Sequence, residues 1–250
     1  MLQTKMDASV RRILAQPYRY LDRGAKVRAY LSADGHYVLK TLNEAADVAR
    51  WFAEDGRPLD GAGWDLGNDA VAAAEVLLAR TRESYRLAAA ELRKETGLVW
   101  LQLAPVGIAG LAVRLRDAPP FDAGRDPFIL QCHAELVRHR IDACEAVGDQ
   151  AASRAVLDDV IGLIATIWRK GITEDGFNFH NNYGYAGEEM IQVDIGEFHK
   201  STMMVRAQLA QPKVLRKKSQ AWLRRKYPPL AEYFEWQVRR RLSEEAFGLD

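Results

Sequence analysis

The sequence predicts an α+β chain of two lobes, a small antiparallel sheet with a helix followed by a mainly helical second half. Three observations carry this. Short β-type runs fill residues 18–40, separated by Gly24 and by Asp34-Gly35, a dipeptide that favours tight hairpins. An alanine-rich pattern of helical period runs from Ala70 to about Glu95 and is closed by Thr96-Gly97, with glycine in the usual C-terminal position. Beyond a proline and glycine break at residues 118–127, apolar residues recur at i, i+3, i+4 and i+7. The lobes are therefore expected at 1–117 and 118–250. At 250 residues and 48% hydrophobic content, the chain has enough apolar material for a sizeable core.

Asp7 to Ala15 reads as a short amphipathic helix, capped by Asp7 or Ser9 and ended by Pro17. Tyr18, Tyr20, Lys26, Arg28, Tyr30, Tyr37, Val38 and Leu39 then mark three strands, the third running into Lys40. A lysine at the inner end of a strand projects its ammonium from a fixed backbone, which suits a phosphate. The plainer reading is an edge lysine whose stem lies along apolar surface. Residues 43–53 carry Ala45, Val48, Ala49 and Phe52 at helical spacing, and 55–69 read as a loop. Within that loop Gly61, Gly63 and Gly67 miss the dinucleotide-binding spacing, because the third glycine comes one residue late and no strand precedes them. No GxxxxGK phosphate loop and no GxSxG nucleophile elbow occurs.

Glu75, Glu83 and Glu91 lie on the long helix, where glutamates ordinarily face water. Leu98–Leu103 and Leu111–Leu115 suggest a second hairpin; Phe128–Val147 and Gln150–Trp168 read as helices. His133, His139, Cys132 and Cys144 fall in the first of these helices, without the spacing a structural zinc requires. Twelve residues apart on one continuous helix, the two cysteines would stand about 18 Å from each other, beyond disulfide reach. A reducing, cytoplasmic location is expected. The longest uncharged apolar run, Val160–Trp168, is roughly half of the ~20 residues that span a bilayer. Neither a membrane span nor a Sec-type leader is expected, and export by a non-classical route stays open.

Gly171 to Phe198 concentrates acids, amides and turn glycines. Its apolar strand Met190-Ile191-Gln192-Val193 runs directly into Asp194-Ile195-Gly196. A strand that delivers a carboxylate at its end, followed by a glycine that turns the chain away, suits a divalent metal. Asp175 and the pair Asn181-Asn182 lie upstream, across a turn at Ala186-Gly187. If the ends of that hairpin meet, amide oxygens and carboxylate converge.

The order of these parts resembles the protein-kinase-like superfamily, in a reduced and divergent form, over roughly residues 18–200. Tyr20–Val27 is similar to a reduced glycine loop, Val38-Leu39-Lys40 to the phosphate-binding lysine strand, and Val193-Asp194-Ile195-Gly196 to the metal-binding DFG segment with Ile for Phe. Asp175 and Asn181 or Asn182 fall where the superfamily has its catalytic loop. The resemblance implies a two-lobed fold that uses ATP and Mg2+, with Lys40 and Gly24 at the nucleotide and Glu91 or Glu83 holding Lys40. It further implies Asp194 with Asn181 or Asn182 on the metal, and Asp175 or Glu174 accepting the proton of the attacking hydroxyl of a protein or small-molecule acceptor. Lys40 and Asp194 are then expected at one nucleotide cleft.

Departures matter as much. The His-Arg pair before the catalytic Asp is absent, Asp175 stands six residues before Asn181 where the pattern has five, and the nucleotide loop offers Gly24 alone. These keep open a catalytically inactive pseudokinase that serves as a binding module, and nucleotidyl transfer on the same fold. Finally, residues 198–231 hold nine Lys or Arg and no Asp or Glu, so a chain of net charge +1 carries about −8 (1 minus 9) elsewhere. The basic tail, 199–226, is either a solvated face or a surface for an acidic or phosphate-bearing partner.

Overall fold

A computed structural model describes residues 6–55, 69–105, 111–116, 118, 121–174, 178–200 and 219–247, with side chains to residue 241. Two compact units result. Met1–Ala90 with Leu98–His133 forms the first, and Glu91–Gly97 with Ala134–Asp250 forms the second. Among the described residues no helix is long and apolar enough to cross a membrane.

The first unit is built on a five-stranded, wholly antiparallel sheet. Strands β1 (Tyr18–Arg23), β2 (Val27–Ser32) and β3 (Tyr37–Leu42) form the expected meander. Gly35 turns the second corner with φ of 75°, a conformation glycine adopts without strain. Helix α1 (Ala8–Leu14) lays Val10 and Leu14 over Tyr18, Tyr30 and Leu39, and Asp7 caps it by accepting the Val10 N–H at 2.9 Å. A smaller cluster of Val48, Ala49, Ala74 and Leu78 joins α2 (Ala45–Asp55) to α3 (Ala70–Glu91).

The sheet differs from expectation in its remaining strands. Strand β4 (Leu98–Gln102) makes no hairpin with the next apolar run; it pairs with β7 (Phe128–Cys132), which also pairs with β3, giving the order β1-β2-β3-β7-β4. The short β5 (Ala112–Val113) pairs instead with β6 (Phe121–Asp122). Residues 128–132, read as the start of a helix, form an inner strand. A segment buried on both faces is apolar throughout and shows no period that separates strand from helix. Phe128, Ile129 and Leu130 are all fully buried. Cys132 and Cys144 consequently do not share a helix, so the spacing argument lapses; both thiols are free.

The second unit begins with the one-turn helix α4 (Arg93–Thr96), capped by Gly97 in the left-handed region. Strand β8 (Glu135–Leu136) leads into α5 (Val137–Ala146), and α6 (Gln150–Arg169) follows, capped by Asp149. Val160, Ile161 and Ile164 of α6 are buried, giving the unit its core. Gly171, at φ 70°, turns the chain into β9 (Ile172–Glu174). Helix α7 (Phe179–Asn182), strands β10 (Tyr183–Ala186) and β11 (Glu189–Gln192), and β12 (Phe198–Lys200) come next. Strand β12 folds back onto β9, while β11, β10 and β8 form a separate three-stranded sheet. Helices α8 (Ser219–Lys226) and α9 (Pro228–Phe247) close the chain, α9 being tied to α6 by Tyr233 and Gln237 on Asp158.

Candidate functional site

The carboxylate of Asp194 is placed by a hairpin. Gly187 at φ 64° allows the tight turn, and β10 and β11 pair in register from Ala186↔Glu189 to Tyr183↔Gln192. One step beyond the last pair, the Val193 N–H donates to the Asn182 carbonyl at 2.7 Å. The hairpin thus brings the backbone of Asn182 beside the segment that presents Asp194. The Asp194 side chain is exposed, and its Oδ1 accepts the Gly196 N–H at 3.2 Å, which fixes its orientation at the strand end.

Beneath this end lies a buried polar knot. Glu174 is 6% exposed and accepts from Tyr183 Oη at 3.1 Å and from Gln192 Nε2 at 2.5 Å. Gln192 Nε2 also donates to the Asp194 carbonyl at 3.1 Å. Burial, before any charge effect, holds the Glu174 carboxyl well above the ordinary carboxylate range, and Asp194 and Glu197 add to the shift. Both of its oxygens are engaged, by Tyr183 and Gln192, and the side chain is buried, so it braces the loop and is poorly placed to take a proton from an acceptor. Asp175, the other candidate, lies outside the described residues.

The two asparagines part company. Asn181 Oδ1 accepts from Arg138 Nη1 at 2.6 Å, and its Nδ2 lies 3.3 Å from Asn178 Oδ1 and 3.1 Å from His180 Nε2. One lone pair of the Asn181 amide oxygen is therefore taken by a guanidinium. Hard oxygen donors suit Mg2+, and the hairpin sets the backbone of Asn182 opposite Val193, one residue before Asp194. Among the described residues no group of three His, Cys, Asp or Glu side chains converges as a metal cluster.

The remaining candidates lie as follows. Lys40 sits on the central strand, its backbone opposite Ala29 on one side and Ile129 on the other, so the edge-lysine reading does not apply. The Gly24 N–H donates to Val27 O at 2.9 Å, which commits that amide to the β1–β2 turn. Asn43 braces the same turn, donating from Nδ2 to the carbonyls of Gly24 and Ala25 at 3.1 and 2.8 Å. Glu83 forms an ion pair with Arg86 on its own helix. Glu91 belongs to the second unit, where Lys200 Nζ reaches its carboxylate at 2.6 Å and Lys170 Nζ reaches its carbonyl at 2.7 Å. Three cations of the basic tail are neutralised locally, Lys200 by Glu91, Arg224 by Glu235 and Lys226 by Asp142. Arg206, Lys213, Arg216, Lys217 and Lys218 lie outside the described residues.

Sequence reasoning did not find Arg138, His180 or Trp222, which gather around the asparagines. The His180 ring stacks on Trp222 with centroids 4.9 Å apart and planes 2° from parallel, and its Nδ1 lies 3.3 Å from Ser219 Oγ. Burial first, then Arg138 and Arg225, bring the His180 imidazole down to about 4. It is neutral at pH 7.

No family model matches this sequence, and no curated protein matches it. Among solved structures the chain is similar to several of WbdD. The high-resolution WbdD crystal structure gives a TM-score of 0.43 at 10% identity, covering 93% of this chain and 51% of that one. The co-crystal structure of WbdD with the kinase inhibitor LY294002 gives 0.38 at 10%, covering 88% and 45%. A medium-resolution structure described as the bifunctional kinase-methyltransferase WbdD gives 0.36 at 11%, covering 86% and 43%. The chain spans about half the length of these proteins. Likeness at this level defines neither the fold nor the chemistry of the present chain.

Proposed function

We propose that this chain is a kinase-like phosphotransferase that moves the γ-phosphoryl group of ATP to a hydroxyl acceptor. The observation that carries the reading is the 2.7 Å bond from Val193 N–H to Asn182 O, which sets the backbone of Asn182 opposite the residue before the strand-end Asp194 at the close of one hairpin. The order of Lys40, Asp175, Asn182 and Asp194 along the sequence supports it. Asp194 and Asn182 would hold Mg2+, whose chemistry there is to neutralise phosphate charge. Lys40 takes the nucleotide phosphates from a rigid strand. The acceptor oxygen forms its bond to the γ-phosphorus as the bond to the β–γ bridging oxygen breaks, ADP leaves, and the hydroxyl proton passes to Asp175. Catalysis on this reading is mostly positioning and charge neutralisation.

Two observations favour a second reading, a kinase-shaped binding module without turnover: the Gly24 amide is spent on its own turn, and Asn181 is held by Arg138. One assay series separates them. ATP with MgCl2 should raise the melting temperature, by about 2.7 kcal/mol of added stability at a hundredfold excess over Kd. Label from γ-labelled ATP should then appear on an acceptor. A shift without transfer across protein and small-alcohol acceptors selects the module, transfer of α-label selects nucleotidyl transfer, and no shift at all removes every nucleotide-based reading.

A further inference from the structure

Helix α7 is a single turn, and one turn closes too few hydrogen bonds to hold its own shape in water. Its backbone supplies Asn182 N–H to Asn178 O at 2.8 Å and Asn181 N–H to the same carbonyl at 3.1 Å. The remaining support comes from outside. Phe179 packs on Phe234 of α9 with ring centroids 4.9 Å apart. His180 stacks on Trp222 of α8, also at 4.9 Å, with planes 2° from parallel. Trp222 is held in turn by Tyr227, which meets it edge-on at 5.9 Å and donates from Oη to Asp142 of α5 at 2.8 Å.

The polar contacts of α7 run in one direction, set by the group at their start. A guanidinium has only donors, so the Asn181 amide turns its oxygen to Arg138 Nη1, at 2.6 Å. Its Nδ2, a donor, then faces His180 Nε2 at 3.1 Å. Nε2 therefore accepts and carries no proton. The ring proton sits on Nδ1, which donates to Ser219 Oγ at 3.3 Å. A doubly protonated ring would set donor against donor at Nε2, so the contacts by themselves require the neutral form. A free neutral histidine side chain favours the proton on Nε2, and this geometry selects the less common tautomer.

We infer that Trp222 is a positioning residue: with Ser219 it clamps His180 in its Nδ1-protonated form, and so sets the turn that presents Asn182 to the strand end of Asp194. The link is continuous in contacts. Trp222 and Ser219 hold the His180 ring, α7 carries that hold to Asn182 two residues on, and the Val193 N–H closes on Asn182 O at 2.7 Å, one residue before Asp194. Trp222 acts through His180 and not on a substrate. The clamp stands on this geometry; its effect at the metal rests on the phosphotransferase reading.

The test uses the full chain with isotopically labelled histidine ring nitrogens, first without nucleotide. His180, assigned by comparison with His180→Gln, should show a pyrrole-type Nδ1 and a pyridine-type Nε2 in NMR at neutral pH. A pyrrole-type Nε2, or two averaged nitrogens, overturns the inference. In the presence of ATP, the MgCl2 concentration that gives half of the melting-temperature shift should rise about tenfold in Trp222→Ala, as when a residue that orients a metal ligand is lost. Trp222→Phe, which keeps a ring over the imidazole, should restore it to within about twofold of the parent. A lowered melting temperature with an unchanged MgCl2 requirement makes the stack merely structural and overturns the inference. If Trp222→Ala fails to fold, Ser219→Ala carries the same comparison. If ATP and MgCl2 give no shift in the parent, the phosphotransferase reading fails and takes the positioning role with it, while the tautomer alone decides the clamp.

Discussion

Gln192 reaches Glu174 at 2.5 Å inside the second unit and, with the same amide nitrogen, holds the carbonyl of Asp194 at 3.1 Å. A buried carboxyl, an amide and a tyrosine hydroxyl thereby fix the strand end that presents an exposed carboxylate. The brace lies on β9, β10 and β11, so disturbing it affects the position of Asp194 without touching it.

Replacing Glu174 separates its titration from its hydrogen bonds. Glu174→Ala leaves Tyr183 Oη and Gln192 Nε2 without that acceptor, at a cost of about 2–4 kcal/mol read from denaturant unfolding. Glu174→Gln keeps an acceptor oxygen and removes the titrating group. The folded-state pKa of Glu174 is raised, so its stabilising contribution is complete below its ordinary value of about 4.3 and is lost as pH rises toward the folded value. The melting temperature of Glu174→Gln relative to the parent should therefore improve from pH 5 to pH 8. A constant gap over that range would show that Glu174 does not titrate with its raised value.

His180 acts with the opposite sign. Its folded pKa of about 4 lies below the ordinary value of about 6.5, so protonation favours the unfolded chain and stability falls as pH drops from 6.5 toward 4. His180→Gln should flatten that limb of the profile. Trp222→Ala, which removes a stacked pair worth about 0.5–1.5 kcal/mol beyond its buried area, should raise the imidazole pKa as seen by NMR titration.

Lys40→Ala and Asp194→Ala should each abolish the ATP and MgCl2 shift and lower turnover about 100-fold or more. Without nucleotide, Asp194→Ala should change stability by no more than about 1 kcal/mol, since its side chain is exposed and accepts a single backbone bond. Full activity in either variant removes that residue from the proposed site.

Gly184 admits no side chain. A Cβ there would meet Glu135 O at 2.4 Å and Ala134 Cβ at 3.1 Å, where β10 pairs with β8. Gly184→Ala forces these backbones apart and should cost about 3 kcal/mol in thermal or denaturant unfolding, at the upper end of overpacking penalties. Gly24→Ala is the control, because the nearest atom to its Cβ is Val27 O at 3.9 Å.

The parts legible in the sequence were those with a period or a punctuating glycine: the β1–β3 meander, α6, and the hairpin that ends at Asp194. Strand β7 was hidden because Phe128, Ile129 and Leu130 are buried on both faces and alternate with nothing. The helix that begins at Val137 lent them its own period. The contact of Arg138 with Asn181 was hidden for another reason. Arg138 and Asn181 are 43 residues apart, and no local pattern in the sequence links the two. Glu174 read as one acid among several in a loop, and only its burial reveals the brace.

The insertion of β7 between β3 and β4 bears on how the protein is made. Residues 37–41 pair with 128–132, so the inner edge of the meander waits for some ninety further residues before its partner leaves the ribosome. Pairings so distant in sequence form late and slowly, and an open strand edge is a template for other chains in the meantime. A nascent chain stalled before Phe128 should therefore aggregate or recruit chaperones, and one released after Cys132 should not.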